Sequence, residues 1–375
     1  MKLLLIANTD WFLYNYRLSQ AEYMRAAGFA VGLVSPPGPY VERLREAGFP
    51  WTAWPVARQG LLPWQELGAV LRLGRIFARE KPDLVHAFTL KAALYSGLAA
   101  RWMNHVHLAA GITGRGYLFL SADRRARLAR PLGSALLRLA LRSPRCACIF
   151  EHELDRADFL ARGISTPERA HLIPGAGADI TRFTPAPEPP GPPVILFAGR
   201  LLWEKGLADL IEAGRILRQR GVAFRLALAG QPDPGNPGSL TEDDLRAWEN
   251  AGEAEWWGFQ PRMEETFRRA HIVTLPTFYG EGAPTVLMEA AAAGLPLVAT
   301  DQPGCAAVVR PGENGLLVPA RDPAALAGAL ERLARDADLR AAMGAAGRRL
   351  AETTFAHERI HAATLGVYRS LLPSA

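Results

Sequence analysis

The chain alternates between short apolar runs and longer stretches with helical spacing. The apolar runs are 2–7, 30–34, 84–87, 106–110, 146–150 and 171–173 in the first half, and 194–198, 224–229, 255–257, 272–275, 296–299 and 315–318 in the second. Short apolar runs that alternate with helices are typical of buried parallel strands. The pattern therefore predicts an α/β protein with two doubly wound parallel sheets.

Proline interrupts this alternation near the middle of the chain. Residues 184–193 read TPAPEPPGPP and contain six prolines, which exclude a helix or a central strand. We predict an N-terminal domain over 1–183, a linker over 184–193 and a C-terminal domain over 194–355. A last helix over 356–375 is expected to pack back onto the first domain. Ligands are expected in a cleft at the carboxyl ends of the strands.

Residues 278–301 combine a turn, a helix and a strand with two carboxylates. The stretch reads FYGEGAPTVLMEAAAAGLPLVATD and follows the apolar run 272–276. Pro284 suits the first turn of the helix and Gly294 suits its end, so we predict one parallel βαβ unit. A helix N-terminus after a parallel strand attracts anions through its free N–H groups and its dipole. Glu281 lies at that position, and Glu289 lies one turn into the helix.

Composition limits the class of protein. The 375 residues are 49% apolar, which is enough for two or three domains. No apolar run reaches the roughly 18 residues that span a bilayer, and the N-terminal run is too short for a signal peptide, so we expect a cytoplasmic protein. Cys146, Cys148 and Cys305 lack the pattern of a disulfide framework or a zinc site, and we expect free thiols.

Arginine dominates the positive charge, and the net charge is +6. Over residues 124–142 arginines alternate with leucine and alanine, which is the pattern of a basic amphipathic segment. Such a face binds anionic lipid, binds nucleic acid or is only solvated. No aromatic interleaving or nucleic-acid-binding motif accompanies it, so we expect no nucleic-acid partner. Pattern alone leaves lipid and solvent as alternatives.

The loop GRLLWEKG, residues 199–206, follows one apolar run and opens a helix over 207–220. Arg200 and Lys205 place two positive charges beside the N–H donors of a helix N-terminus, a combination that suits a diphosphate. The alternative is a surface loop with scattered charge. A second helix N-terminus of the same type at Gly282 favours phosphate binding.

Glu281 and Glu289 have a different use. Carboxylates repel phosphate but accept hydrogen bonds from sugar hydroxyls. Because a buried carboxylate without a partner costs several kcal/mol, ligand binding is a better explanation of Glu289 than space filling.

Other motifs add little. His357 and His361 have the spacing of a zinc-binding HExxH helix, but no His, Asp or Glu follows them, so we predict a surface helix without metal. The sequence lacks a complete GxGxxG after a strand, a P-loop and a GxSxG elbow. These absences argue against dinucleotide binding, P-loop chemistry and a serine hydrolase.

Taken together, the motifs resemble a known family. The similarity to retaining family-four glycosyltransferases of GT-B fold lies in FAGRLLWEKG, in YGEGAPTVLMEAAAAGLPLVATDQPGC with its E-x7-E spacing, and in NGLLVPARDPAALA. Bacterial transferases that build O-antigen and capsule repeat units on undecaprenyl diphosphate are similar in HAFTLKAALYSGLAAR, GITGRGYLF and PGAGADITRF. The resemblance covers nearly the whole chain and implies two Rossmann-like domains that face a cleft.

The resemblance implies roles on the donor side. Arg200 and Lys205 bind the donor diphosphate and stabilise the leaving nucleotide. Glu281 holds the transferred sugar, Glu289 accepts from the ribose hydroxyls, and residues 257–260 lie at the nucleobase. The remaining implied donor contacts are Gly199, Gly282, Ala283, Thr285 and Val286.

On the acceptor side the resemblance implies Arg17, His86 and Thr113. Many members carry a glycine-rich loop where this chain has NTDW at 8–11, and a histidine where it has Thr113. His86 is expected to end a strand at the cleft, where acceptor contact and a core role are both consistent with the sequence.

The implied reaction moves a hexose or N-acetylhexosamine from a nucleotide-sugar, UDP-linked by resemblance, to a glycan or lipid-linked glycan acceptor. Retention at the anomeric carbon is implied, without metal or cofactor. A lipid-linked acceptor would give residues 124–142 a purpose, because they would hold the enzyme at the anionic inner face of the cell membrane. The alternatives are a nucleotide-sugar epimerase, a transferase with a soluble acceptor and a silent nucleotide-binding protein.

Overall fold

The computed structural model describes residues 1–56, 63–114 and 124–372. The chain forms two compact units. The first consists of Met1–Ala176 and His357–Ala375, and the second of Gly177–Ala356. Each unit contains its own parallel sheet covered by helices, so the predicted α/β class with two doubly wound domains is confirmed.

The first unit is built on a seven-stranded sheet of order β3-β2-β1-β4-β5-β6-β7. Its strands are β1 (Lys2–Ile6), β2 (Ala30–Ser35), β3 (Trp51–Ala53), β4 (Leu84–Phe88), β5 (His107–Ile112), β6 (Cys146–Phe150) and β7 (Ala170–Leu172). Its described helices are α1 (Asp10–Phe12), α2 (Leu18–Ala26), α3 (Val41–Glu46), α4 (Pro63–Glu80), α5 (Leu90–Ala100), α6 (Arg124–Leu141) and α7 (Glu153–Ala161). A π-helical turn, Leu13–Arg17, joins α1 to α2, and a 3-10 turn, Pro167–Arg169, precedes β7.

The second unit is built on a six-stranded sheet of order β10-β9-β8-β11-β12-β13. Its strands are β8 (Val194–Ala198), β9 (Arg225–Ala229), β10 (Glu255–Gly258), β11 (Ile272–Leu275), β12 (Leu297–Thr300) and β13 (Gly315–Val318). Its helices are α8 (Leu207–Gln219), α9 (Glu242–Asn250), α10 (Met263–Phe267), α11 (Thr285–Ala292), α12 (Pro303–Ala306), α13 (Pro323–Arg335) and α14 (Ala337–Leu350). A 3-10 turn, Trp203–Lys205, precedes α8, and a π-helical turn, Ala351–Phe355, follows α14.

The central strands of both sheets are buried along their whole length. In β4, β6 and β8 every residue is buried, because helices cover both faces of a parallel sheet. Strand order reverses once in each sheet, between β1 and β4 and between β8 and β11. Open α/β sheets bind ligands at the carboxyl ends of the strands at such a reversal.

One strand and several strand ends were not predicted. β3 is a three-residue edge strand that is only half-buried, so it lacks an apolar run that the sequence could show. β5, β7, β9 and β12 begin one residue away from the predicted runs. Sheet class follows from buried runs, whereas edge strands depend on partners that the sequence does not reveal.

The boundary between the units differs from the predicted one. The second unit begins at Gly177, seven residues before the predicted linker at 184–193. Ala178 pairs with Ala356, and Phe183 is buried in the core of the second unit. The proline-rich segment therefore belongs to the second unit, where Glu188 forms an ion pair with Arg340 at 2.7 Å.

The last helix, α15 (His357–Leu371), belongs to the first unit. Its HExxH histidines do not lie on an exposed face, which corrects the surface-helix prediction. His361 is buried and its Nε2 lies 3.2 Å from Ser19 Oγ, while its ring stacks on that of His357 at 5.2 Å. Burial, with a smaller contribution from His357, lowers the pKa of His361 to about 3. Among the described residues no group of three metal-ligating side chains exists.

Candidate active site

Two loops of the second unit meet where strand order reverses. Residues 199–206 follow β8 and residues 276–284 follow β11, and these strands are neighbours in the sheet. Phe278 N and Thr277 Oγ1 both donate to Glu204 O, at 3.0 and 3.1 Å. The two loops are therefore held as one surface at the carboxyl ends of β8 and β11.

A glycine permits this close approach. Gly206 has φ +77°, and a Cβ built on it would lie 2.0 Å from Pro276 O. Glycine is the only amino acid type that adopts a left-handed backbone readily and has no Cβ to clash with this carbonyl. Gly206 also precedes α8, so the same residue sets the contact between loops and the start of the helix.

Lys205 and Glu281 form an ion pair at this junction, between Nζ and Oε1. Their side chains are only 14% and 19% exposed, so the pair is partly shielded from water. A lysine ammonium carries three donors, which leaves donors for a ligand phosphate after Glu281 takes one. The sequence predicted both residues as ligand contacts but did not reveal that they bind each other.

Arg200 lies at the rim of the same loop. Its side chain is 43% exposed, and its Nη1 lies 3.2 Å from Asp233 Oδ2 in the loop after β9. An exposed ion pair of this kind adds little to stability. Arg200 can therefore exchange Asp233 for an anionic ligand at little cost in stability. The sequence did not indicate Asp233 as a neighbour of Arg200.

Glu289 occupies the second turn of α11, with a partly buried carboxylate. Its carboxylate forms no hydrogen bond or ion pair within the described part of the chain. Burial raises the pKa of Glu289 to about 8; Arg182 opposes this shift and Glu264 adds to it. A desolvated carboxylate without donors is a strong acceptor for ligand hydroxyls.

Helix α12 packs closely against the turn between Glu281 and α11. A Cβ on Gly304 of α12 would lie 1.9 Å from Gly282 O and 2.6 Å from Glu281 O. The N–H groups of Thr285 and Val286 begin α11 and have no intrahelical acceptor. The predicted donor residues Gly282, Ala283, Thr285 and Val286 thus form one short turn between Glu281 and Glu289.

Replacing Gly304 with alanine is expected to displace this turn. The added Cβ must displace the backbone carbonyls of Glu281 and Gly282, and the Glu281 side chain moves with them. We expect donor binding to weaken about tenfold or more, because each lost hydrogen bond to a charged group such as Glu281 costs about 1.5–3 kcal/mol. Isothermal titration with the nucleotide-sugar measures the loss.

Gly328→Ala is the matched control, since Gly328 lies within α13 and a Cβ there meets nothing within 4 Å. Removing flexibility at such a position stabilises by roughly 0.4–1 kcal/mol. Equal donor affinity in Gly304→Ala and Gly328→Ala would refute the role of the turn.

Two further parts of the second unit border the predicted site. Cys305 of α12 is buried, and burial followed by the Glu281 carboxylate raises the pKa of its thiol to about 12, so it stays protonated. At the predicted nucleobase position, Arg269 lies over the Trp257 ring at 3.7 Å and Gln260 Nε2 donates to Trp257 O at 2.5 Å. One face of Trp257 is thus already covered.

His86 of the first unit is a core residue. It lies within β4, is 3% exposed, and its Nδ1 lies 2.6 Å from Tyr368 Oη and 3.2 Å from Gln20 Nε2. Burial, aided by the nearby Arg17 charge, holds the pKa of His86 well below its usual range. His86 therefore links α2 to α15 and lies within β4 rather than at its end, which corrects the predicted position and favours the core role of the two that the sequence left open.

Arg17 and Thr113 lie at the carboxyl ends of strands. The Arg17 guanidinium is buried 4.3 Å from the centre of the Phe88 ring and 3.8 Å from Glu151 Oε1, directly after β6. Burial lowers the pKa of Arg17, an effect that Glu151 opposes. Thr113 follows β5 directly and is partly exposed. Residues 115–123, with most of the GRGYLF motif, lie outside the described residues.

Side chains of the NTDW segment, residues 8–11, hold the loop after β1. Thr9 Oγ1 accepts from Phe12 N at 3.1 Å and caps the first turn of α1. Asp10 Oδ2 accepts from Tyr40 N at 2.7 Å, which fixes the loop to the turn before α3. The NTDW segment is therefore a turn that is held by hydrogen bonds from its own side chains.

The basic segment is a helix, α6, with two apolar faces. Leu137 and Ala140 face the core, whereas Leu132, Leu136 and Leu139 are exposed. The exposed leucines recur at i, i+4 and i+7, so they line one face of the helix. The side chains of 124–129 lie outside the described residues. In the described ranges, no helix is both long and apolar enough to cross a membrane.

Comparison with known proteins matches both parts of the chain. Residues 2–152 match the family described as Glycosyl transferase 4-like, and residues 180–350 match Glycosyl transferases group 1. These ranges agree with the two structural units.

Individual proteins that are similar to this chain are also described as glycosyltransferases. An N,N'-diacetylbacillosaminyl-diphospho-undecaprenol alpha-1,3-N-acetylgalactosaminyltransferase of Campylobacter jejuni is 22% identical over 91% of each chain. The putative colanic acid biosynthesis glycosyltransferase WcaL of Escherichia coli is 36% identical over 43% of this chain and 41% of its own. The structure of HepE from Anabaena in complex with UDP superposes with TM-score 0.77 and 18% identity over 99% of this chain and 100% of that one, which shows the shared fold.

Proposed function

Because the chain belongs to the glycosyltransferases through both of its parts, we propose that it transfers a hexose or N-acetylhexosamine from a UDP-linked nucleotide-sugar to a lipid-diphosphate-linked glycan. The transfer proceeds with retention at the anomeric carbon and without metal or cofactor. Its place is the synthesis of a surface polysaccharide such as O-antigen or capsule.

One observation carries the proposal, namely the arrangement of Lys205, Glu281 and Glu289 at the reversal of the second sheet. Lys205 supplies positive charge where a diphosphate would meet the first N–H groups of α11. Glu289 supplies an acceptor without a donor of its own. A nucleotide-sugar offers the complementary groups, because it joins a diphosphate to a ribose and a hexose, both rich in hydroxyls.

The charges also fit the chemistry of the reaction. As the bond between sugar and diphosphate breaks, negative charge grows on the leaving phosphate. Lys205 and Arg200 stabilise that charge, and stabilising charge that develops in the transition state lowers the barrier. The leaving phosphate then takes the proton of the acceptor hydroxyl. Glu281 orients the sugar through its hydroxyls and keeps Lys205 in place.

The acceptor and the place of action rest on the first unit. The Campylobacter relative is named for an undecaprenol-diphosphate-linked substrate. The exposed leucines of α6, with the arginines at 130, 138 and 142 on the same segment, form a surface suited to anionic lipid. We therefore place the enzyme at the inner face of the cell membrane as a peripheral protein.

The test begins with a screen of nucleotide-sugars for thermal stabilisation of the protein. The best donor is then incubated with a short glycan on undecaprenyl diphosphate and, in parallel, with the same glycan free in solution. We expect a UDP-sugar to stabilise most and the lipid-linked glycan to be extended faster.

Other outcomes refute parts of the proposal. Isomerisation of the donor without any acceptor would identify an epimerase. Faster extension of the free glycan would identify a soluble acceptor, and donor binding without transfer to either would identify a silent nucleotide-binding protein.

A further inference from the structure

A pocket lined by arginines opens at the amino ends of β5 and β6, at the edge of the sheet opposite to the predicted acceptor side. Its volume is about 290 Å³, and its charged lining residues are Arg101, Arg142 and Arg145. No carboxylate is among the lining residues, all of which the structure describes. Ligand pockets span roughly 300–1,000 Å³, so this one suits a small group rather than a whole nucleotide-sugar.

Two of the arginines are fixed in place by backbone carbonyls. Arg101 Nη1 donates to Leu139 O at 2.8 Å, and Arg145 Nη1 donates to Asn104 O at 2.5 Å. Arg142 forms no side-chain hydrogen bond or ion pair within the described residues. Since a guanidinium has five N–H donors, most donors around the pocket are unused.

The helix dipoles at the pocket do not fully compensate the positive charge of the three arginines. The helices α5 and α6 both end at the pocket, and each C-terminus contributes about half a negative charge. The three guanidinium groups contribute three positive charges. About two positive charges are left without compensation, which is the charge of a phosphate group with opposite sign.

We propose that the pocket of Arg101, Arg142 and Arg145 binds a phosphate group, either a phospholipid headgroup or free phosphate. Arginine binds phosphate through paired N–H donors, and three arginines line this one small space. Trp102, 62% exposed, and Leu139, 46% exposed, adjoin the pocket along the chain. These apolar side chains beside the arginines suit the boundary between headgroups and acyl chains.

The experiment compares wild type with Arg142→Gln and Arg145→Gln. The first substitution removes one charge without removing a hydrogen bond. Arg332→Gln, at an exposed arginine of α13, is the matched control. Inorganic phosphate is added at constant ionic strength and the unfolding temperature is recorded. Sedimentation with vesicles of phosphatidylcholine, with or without phosphatidylglycerol, measures lipid binding.

We expect phosphate to raise the unfolding temperature of wild type and Arg332→Gln, and to do so at most half as much in the two pocket variants. Binding to phosphatidylglycerol vesicles should weaken about fivefold in each pocket variant, since one arginine near an anionic surface contributes about that factor. A phosphate response that depends on the arginines, without such vesicle binding, supports the pocket with free phosphate as its ligand. A phosphate response that is unchanged in both pocket variants overturns the proposal.

Discussion

Lys205→Ala is expected to lower kcat about a hundredfold or more. The substitution removes the positive charge closest to the expected leaving phosphate, and the loss of one group that stabilises developing charge costs about that factor. It also leaves Glu281 without its partner in a partly buried position. Steady-state assays with the preferred donor, at saturating acceptor, measure the change.

Two further lysine variants make this result specific. Lys205→Arg keeps the charge and should recover part of kcat. Lys2→Ala removes a lysine from another ion pair, with Glu80 at 2.7 Å, at the amino end of β1, and should leave kcat within about twofold. A Lys205→Ala enzyme that folds normally and keeps most of its kcat would remove Lys205 from the reaction.

Glu289→Gln is expected to stabilise the free protein at pH 8 while it weakens donor binding. Folding raises the pKa of Glu289 from 4.5 to about 8, so the folded state holds a proton that the unfolded state has released between these values. Stability contributed by this group is therefore lost as pH rises from 4.5 to 8. Glutamine does not ionise and escapes the loss. We expect a gain of about 2 kcal/mol at pH 8, less than the full shift implies because the side chain keeps some contact with water.

The measurement is the difference in unfolding temperature between Glu289→Gln and wild type at pH 5 and pH 8. The difference should be small at pH 5 and positive at pH 8. Glu331→Gln removes a partly exposed carboxylate that is paired with Arg220 and Arg335, and should give no gain at pH 8. A Glu289→Gln protein that is less stable than wild type at pH 8 would show that the carboxylate has a partner in the folded state.

Donor affinity should change in the opposite direction. An ionised Glu289 accepts ribose hydroxyls, so wild-type affinity for a nucleotide-sugar should rise from pH 6 to pH 8 and level off above it. Glu289→Gln should bind about tenfold or more weakly, since hydrogen bonds to charged groups contribute about 1.5–3 kcal/mol, and should lose the pH dependence. Titration calorimetry across this range tests both expectations.

The sequence predicted the strands and helices that carry the expected donor residues, because the signals for those elements are local. Gly206, Pro284 and Gly294 mark helix ends by backbone geometry, and buried strands appear as apolar runs. Given neighbouring strands, Lys205 and Glu281 were expected at the same edge of one sheet. The confirmed fold class follows from this pattern alone.

Contacts between distant residues could not be predicted in the same way. The pairing of Lys205 with Glu281 spans 76 positions and that of His86 with Tyr368 spans 282. His86 was expected at a strand end, but its register against Leu5 and Ala109 places it within the sheet. Phe183 was likewise predicted to belong to the first domain, but it is buried in the core of the second unit. Such positions depend on packing, for which one sequence has no local signal.

The most direct test of the proposed reaction follows the anomeric proton of the product by NMR during the first turnovers of the wild-type enzyme, in the presence of EDTA. The UDP-sugar that stabilises most is the donor, and the undecaprenyl-diphosphate-linked glycan is the acceptor. We expect a glycosidic bond with the same anomeric configuration as the donor and one UDP released per sugar transferred. A product of inverted configuration, or a reaction that stops when metal is removed, would contradict it.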